Sequence, residues 1–229
     1  MTIDLETRTM ERWTSASDGL EHDPALAELD LDEIDALLAR APAHRSPPVA
    51  ADRPSPLGSL VHRPGLWARN GIRFITVRRW RARAKTADLQ AFRDAKCHLD
   101  PALIEAAAGE LSEVLRDLLG PAPGYLVTNV ACGHSRRPDC FGKRLAQAAA
   151  VLVGVPYVQV FADRFVRGSS HPRQVMELPP LRRIAIPDRM CVVVDDLATS
   201  GWHLEEALGN LRSQGVPALG LAWLGGIAP

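Results

Sequence analysis

The sequence has no apolar run that reaches the roughly 18 residues a membrane-spanning helix needs. It has no excess charge of either sign: 27 Lys and Arg stand against 27 Asp and Glu, so the chain as a whole is not built to attract a polyanion. Cysteine is sparse. Cys97, Cys132, Cys140 and Cys191 are scattered, without the spacing of a disulfide framework. The opening Met-Thr-Ile-Asp-Leu-Glu has neither the basic start nor the apolar core of a secretory signal. Together these absences predict a soluble, cytoplasmic protein with reduced thiols and no membrane partner.

The 229 residues, 46% of them hydrophobic, suffice for one sizeable α/β domain and an appendage. The appendage comes first. The first 40 residues carry 11 Asp or Glu against 3 Arg, and residues 25–40 set leucines and Ile34 at the spacing of a short amphipathic helix. Residues 41–65 turn to proline, serine and small side chains, which is linker chemistry. Residues 1–66 therefore read as a mobile extension, either a partner-binding segment or a dispensable tail, and 67–229 as the folded domain.

Within the domain, strands alternate with helices. Residues 72–81 read as a strand with a basic end and 88–96 as a short helix. Asp100 caps and Pro101 opens a long amphipathic helix to Leu119, stopped by Gly120 and Pro121. Strands follow at 125–131 and 157–161, with an Ala-rich helix at 141–153 between them. After an irregular stretch at 163–188 come a β-branched strand (Val192 to Val194), a helix from Trp202 to about Ser213, and a last strand at 218–224. This alternation predicts a parallel sheet with right-handed crossovers and a site at the carboxyl ends of its strands.

The most informative stretch is Met-Cys-Val-Val-Val-Asp-Asp-Leu-Ala-Thr-Ser-Gly-Trp-His, residues 190–203. A buried strand ends in two carboxylates, Asp195 and Asp196. A hydroxyl-rich turn of Thr199, Ser200 and Gly201 follows, and a helix starts at once. Free backbone N–H groups and the positive end of a helix dipole make an anion site, to which two hydroxyls add donors. The carboxylates can accept hydrogen bonds from vicinal ribose hydroxyls or hold a hydrated Mg²⁺. That order of parts suits a sugar phosphate. Two plainer readings compete: a response-regulator receiver, excluded because only 33 residues follow Asp196, and a turn in which Thr199 or Ser200 simply caps the helix.

The run Val192-Val193-Val194-Asp195-Asp196-Leu197-Ala198-Thr199-Ser200-Gly201 resembles the phosphoribosyl-pyrophosphate (PRPP) signature of type I phosphoribosyltransferases. Ala198 stands where a larger aliphatic residue is usual, and His203 where Thr or Ser is. The resemblance implies an α/β, parallel-sheet phosphoribosyltransferase fold with a small hood. It also implies an enzyme that binds PRPP with Mg²⁺ and moves the 5-phosphoribosyl group to a nitrogenous base, releasing pyrophosphate. Asp195 and Asp196 are then the catalytic pair on the ribose diol and the metal, and Thr199, Ser200, Gly201 and His203 hold the 5′-phosphate. Ala131-Cys132-Gly133-His134-Ser135-Arg136-Arg137 holds the place of the pyrophosphate loop, with Gly133 admitting an anion and Arg136 and Arg137 neutralising it. Residues 164–173 match a closing loop, with Arg167 and Arg173 as its cations and His171 a weaker candidate. Incidental loop arginines are the plainer alternative for both segments.

Among subfamilies the nearest resemblance is to ComF-like proteins, carried by Phe141-Gly142-Lys143-Arg144-Leu145-Ala146 and by Ala91-Phe92-Arg93-Asp94-Ala95-Lys96, a helix leading to a lysine. The amino-terminal four-cysteine zinc module of that family is absent, since no cysteine precedes Cys97. Cys132, His134 and Cys140 lack the two tight pairs of a structural zinc site, and Cys191 reads as a buried strand residue. Arg78, Arg79, Arg81, Arg83 and Lys85 around Trp80 suit either a solvated strand edge or, less favoured, a nucleic-acid contact. A non-catalytic PRPP or nucleotide sensor, or a DNA-handling accessory, is the alternative function on this fold. A homodimer is compatible with either.

Overall fold

The computed structural model describes residues 56–80, 86–120, 124–131, 139–164 and 180–227. After a 3₁₀ turn (Pro56–Ser59), the elements run β1 (Leu60–Arg69), β2 (Ile72–Trp80), α1 (Thr86–Cys97), α2 (Pro101–Leu119), β3 (Tyr125–Asn129), α3 (Phe141–Val153), β4 (Met190–Ala198), α4 (Trp202–Arg212) and β5 (Ala218–Ile227). The five strands form one sheet in the order β1-β2-β5-β4-β3. The pairs β2–β5, β5–β4 and β4–β3 are parallel, as the alternation of strands and helices predicts, while β1 adds an antiparallel edge.

The sheet is covered on both faces, and the period-2 alternation of strand side chains decides what goes where. Along β4, Val192 and Val194 join Ile75, Val77, Leu111, Leu115 and Leu145 in a core shared with α2 and α3. Cys191 and Val193 join Phe74, Leu204, Leu208 and Leu211 in a core shared with α4. Phe92 docks α1 onto the first of these cores, edge-on to Trp80 at 5.7 Å and tilted against Trp223 at 6.0 Å. Asp100 caps α2 through the N–H groups of Ala102 and Leu103, with Pro101 at the first helical position, as its sequence predicts. Among the described residues no helix is long and apolar enough to cross a membrane.

Four expectations are corrected. The sheet begins at Leu60, which is only 3% exposed, so residues 60–66 belong to a strand and not to the extension. Residues 157–161 form no strand. They touch β3 through an isolated bridge between Val127 and Tyr157, and Phe161 bridges Arg183 instead. Arg78 and Trp80 sit on no solvated edge, because β2 lies between β1 and β5. Both are buried, and Arg79 lies over the Trp67 ring at 4.8 Å. Cys140 is disulfide-bonded, against the expectation of reduced thiols, which leaves it no thiolate for zinc. Cys191 behaves as read: it is fully buried, and burial pushes its thiol up to about 12. The amino-terminal extension, and residues 81–85 of the basic cluster, lie outside the described residues.

Candidate active site

The carboxyl end of β4 carries the site. The strand does not stop at the valines. It runs on through both aspartates to Ala198, because its pairing with β5 continues at Asp195 with Ala222, Leu197 with Leu224 and Ala198 with Gly225. Adjacent strand residues point to opposite faces, so the two carboxylates straddle β4. Asp196 lies on the side of α1 and α3. Its Oδ2 meets Lys96 Nζ at 2.7 Å, and a Cβ added at Gly142, in the first turn of α3, would lie 3.9 Å from its Cγ. Asp195 is 5% exposed and accepts the backbone N–H of Asp196 at 2.8 Å. Burial, then the neighbouring Asp196 charge, pushes its carboxyl up to about 7, while Lys96 and two backbone N–H groups pull the other way.

The turn after β4 does not bear out the capped-helix reading of Thr199 and Ser200. The N-cap residue of α4 is Gly201, and no side chain caps the helix. Thr199 is exposed and Ser200 half-buried, and neither hydroxyl is bonded among the described residues. The first N–H groups of α4 thus stand beside two hydroxyl groups without a protein acceptor from the N-cap. Glycine is required at position 201 on two counts. Its φ is +69°, and a Cβ there would come within 2.4 Å of the Phe74 ring. Phe74, on β2, therefore sets the height of the loop. His203 follows on α4, its ring stacked on that of Trp202 at 5.9 Å.

The structure brings Asp195, Asp196, Thr199, Ser200, Gly201 and His203 into one continuous rim. Gly133, Arg136 and Arg137 of the expected pyrophosphate loop lie outside the described residues, as do Arg167, His171 and Arg173 of the expected closing loop. The first residue of that expected loop is described: Arg164 is 8% exposed and holds both carboxylate oxygens of Glu206 on α4, through Nη1 at 2.8 Å and through Nη2. Arg164 thus anchors the start of that segment to α4.

Two functional candidates escaped the sequence reading of the site. Lys96 is one. It stands one helical turn after Phe92, whose ring it overlies at 5.5 Å, so the residue that docks α1 also aims the lysine at Asp196. The lysine that ends the 91–96 segment was the available signal. Arg69 is the other. It comes from β1 and reaches Ser200 and Glu205, a contact across more than 130 residues of chain that no local pattern announces.

No protein-family model matches the chain, and no curated protein matches it. Among solved structures, an orotate phosphoribosyltransferase from Aeropyrum pernix is similar at 16% identity and a TM-score of 0.34, covering 72% of this chain and 75% of that one. A UMP synthase from Leishmania donovani is similar at 13% identity and a TM-score of 0.32, with 72% of this chain covered but only 27% of that one.

Proposed function

We propose that the protein is a type I phosphoribosyltransferase: it binds PRPP with Mg²⁺ at the carboxyl end of β4 and transfers the 5-phosphoribosyl group to a nitrogenous base, releasing pyrophosphate. The observation that carries this reading is the uncapped start of α4. A helix N-terminus with a glycine N-cap and two unbonded hydroxyls follows directly on an acidic pair, Asp195 buried and Asp196 partly so, at the rim of a parallel sheet. A turn serving only to cap the helix would place Thr199 or Ser200 at the N-cap, and neither is there.

Roles follow from chemistry. Thr199 and Ser200 donate to the 5′-phosphate beside the α4 amides, and His203 adds a ring N–H in place of a hydroxyl. Asp195 and Asp196 accept from the ribose hydroxyls, directly or through hydrated metal. The donor set fits Mg²⁺: two hard carboxylates suit an ion that prefers one or two protein carboxylates and fills its shell with water and substrate phosphate oxygens. When bound, Mg²⁺ neutralises charge on the departing pyrophosphate. Arg136 and Arg137 would act on the same pyrophosphate, with Arg167 and Arg173 closing over it. Holding the ribose so that C1 meets its nucleophile supplies the positioning part of catalysis, and the carboxylates stabilise the developing positive charge.

One observation favours a second reading, a PRPP sensor that does not turn over. Lys96 occupies an oxygen of Asp196 that a hydroxyl or a hydrated metal has to share. Pyrophosphate release separates the two. With PRPP, Mg²⁺ and a panel of purine and pyrimidine bases, an enzyme releases pyrophosphate with at least one base, and Asp196→Asn reduces that rate by roughly a hundredfold or more, as loss of a transition-state charge contact does. PRPP binding without release from any base would establish the sensor instead.

A further inference from the structure

The hairpin between β1 and β2 reaches the phosphate loop from outside it. Asn70 and Gly71 have φ of 48° and 77°, the backbone of a tight two-residue hairpin turn, and this turn brings the end of β1 to the first turn of α4. There Arg69 Nε pairs with one carboxylate oxygen of Glu205, and Asn70 Nδ2 donates to the other at 2.6 Å. Arg69 Nη1 donates to the Ser200 carbonyl at 3.1 Å.

Both contacts bear on anion binding. Glu205 is an acidic residue in the first turn of the helix proposed to hold a phosphate, where its charge opposes a second anion. The Arg69 guanidinium cancels that charge at its source. The Ser200 carbonyl belongs to the same planar peptide as the Gly201 N–H, so fixing one fixes the direction of the other. The Phe74 ring lies against Gly201, and Arg69 holds the Ser200 carbonyl.

We infer that Arg69 is a positioning residue of the phosphate loop: by orienting the Ser200–Gly201 peptide and neutralising Glu205, it makes the start of α4 receptive to a phosphate monoester dianion. This inference rests on the PRPP reading above and adds the β1–β2 hairpin to the site as a working part.

The test uses ribose 5-phosphate as the probe, titrated into the wild-type chain and into Arg69→Ala, Glu205→Gln and the double variant, with amide hydrogen exchange at residues 200–203 measured without ligand. Arg69→Ala should weaken binding roughly tenfold or more, as loss of a charge-assisted contact does, and should speed exchange at Gly201 and Trp202. Adding Glu205→Gln should recover part of the affinity but none of the protection, a split that a general loss of stability does not produce. Glu205→Gln alone should bind several-fold more tightly, because it removes the opposing charge and keeps the guanidinium. That variant carries the test if Arg69→Ala fails to fold. Equal affinity and equal exchange in the wild type and Arg69→Ala overturn the inference and leave the PRPP reading standing, as does unchanged or weaker binding by Glu205→Gln. A wild-type chain that does not bind ribose 5-phosphate overturns the PRPP reading and the inference with it.

Discussion

Replacing Asp195 by asparagine is expected to make the protein more stable at pH 8, not less. The carboxyl is buried beside a second carboxylate and titrates at about 7 in the folded chain. In the unfolded chain it titrates near the ordinary aspartate value of 3.8. The folded state therefore holds its proton more tightly. The stability associated with that proton is fully present below about pH 4 and is lost as pH rises through 7. Over that window the loss is on the order of 4 kcal/mol. Asparagine has nearly the same shape, keeps an oxygen for the Asp196 N–H, and never ionises. Chemical denaturation at pH 4 and pH 8 checks this: Asp195→Asn should gain little at pH 4 and several kcal/mol at pH 8, relative to wild type at each pH. A gain that is absent at pH 8, or the same at both values, would show that Asp195 is not a charge held against its burial. A buried carboxylate that weakens the fold at working pH fits a residue kept for its ligand.

The opposite sign is expected at Glu110. Its carboxylate, 6% exposed on α2, receives Arg78 through Nε at 2.7 Å and through Nη2, and also receives the Trp223 indole N–H at 2.8 Å. Arg78 is 3% exposed. Glu110→Ala leaves a guanidinium and an indole N–H in the core without this acceptor, which costs roughly 3–5 kcal/mol. The pair itself contributes far less than that, since two charges have also been taken out of water. Arg78→Met with Glu110→Leu should recover the part of the loss due to the stranded guanidinium, but not the part due to the Trp223 N–H left without its acceptor. Urea unfolding of the two variants decides it: a mild Glu110→Ala, or a double variant worse than the single, would contradict the picture of a dry, mutually dependent pair.

These two carboxylates also show what could be read ahead of the structure. The acidic pair and the phosphate loop are contiguous in sequence, so strand, carboxylates, hydroxyls and helix start announce one another within 14 residues. Helix boundaries were equally plain wherever a local contact sets them, as at Asp100-Pro101 and Gly154. The hairpin strand β1 was hidden because Pro64 and Gly65 interrupt it and a proline-rich stretch precedes it. An edge strand tolerates both, with the register shift between His62 and Gly65 absorbing them. Asn70-Gly71 was the missed cue, a two-residue turn between two runs that each carry apolar residues. Residues 157–161 misled in the other direction: after the bridge between Val127 and Tyr157 the Val160 N–H bonds the Thr128 hydroxyl at 3.2 Å instead of a β3 carbonyl, so the ladder does not continue. Arg78 and Glu110, like Arg69 and Lys96, meet partners brought together by the sheet order, which no window of sequence contains.

The most direct test of the central claim is calorimetric titration of PRPP with Mg²⁺ into the wild-type chain and into Asp195→Asn/Asp196→Asn, with thermal unfolding confirming that the variant is folded. The site described here predicts saturable binding of one PRPP per chain, competed by ribose 5-phosphate and lost in the folded variant. A wild-type chain silent toward both ligands, or a variant that binds PRPP as well as wild type does, would contradict it.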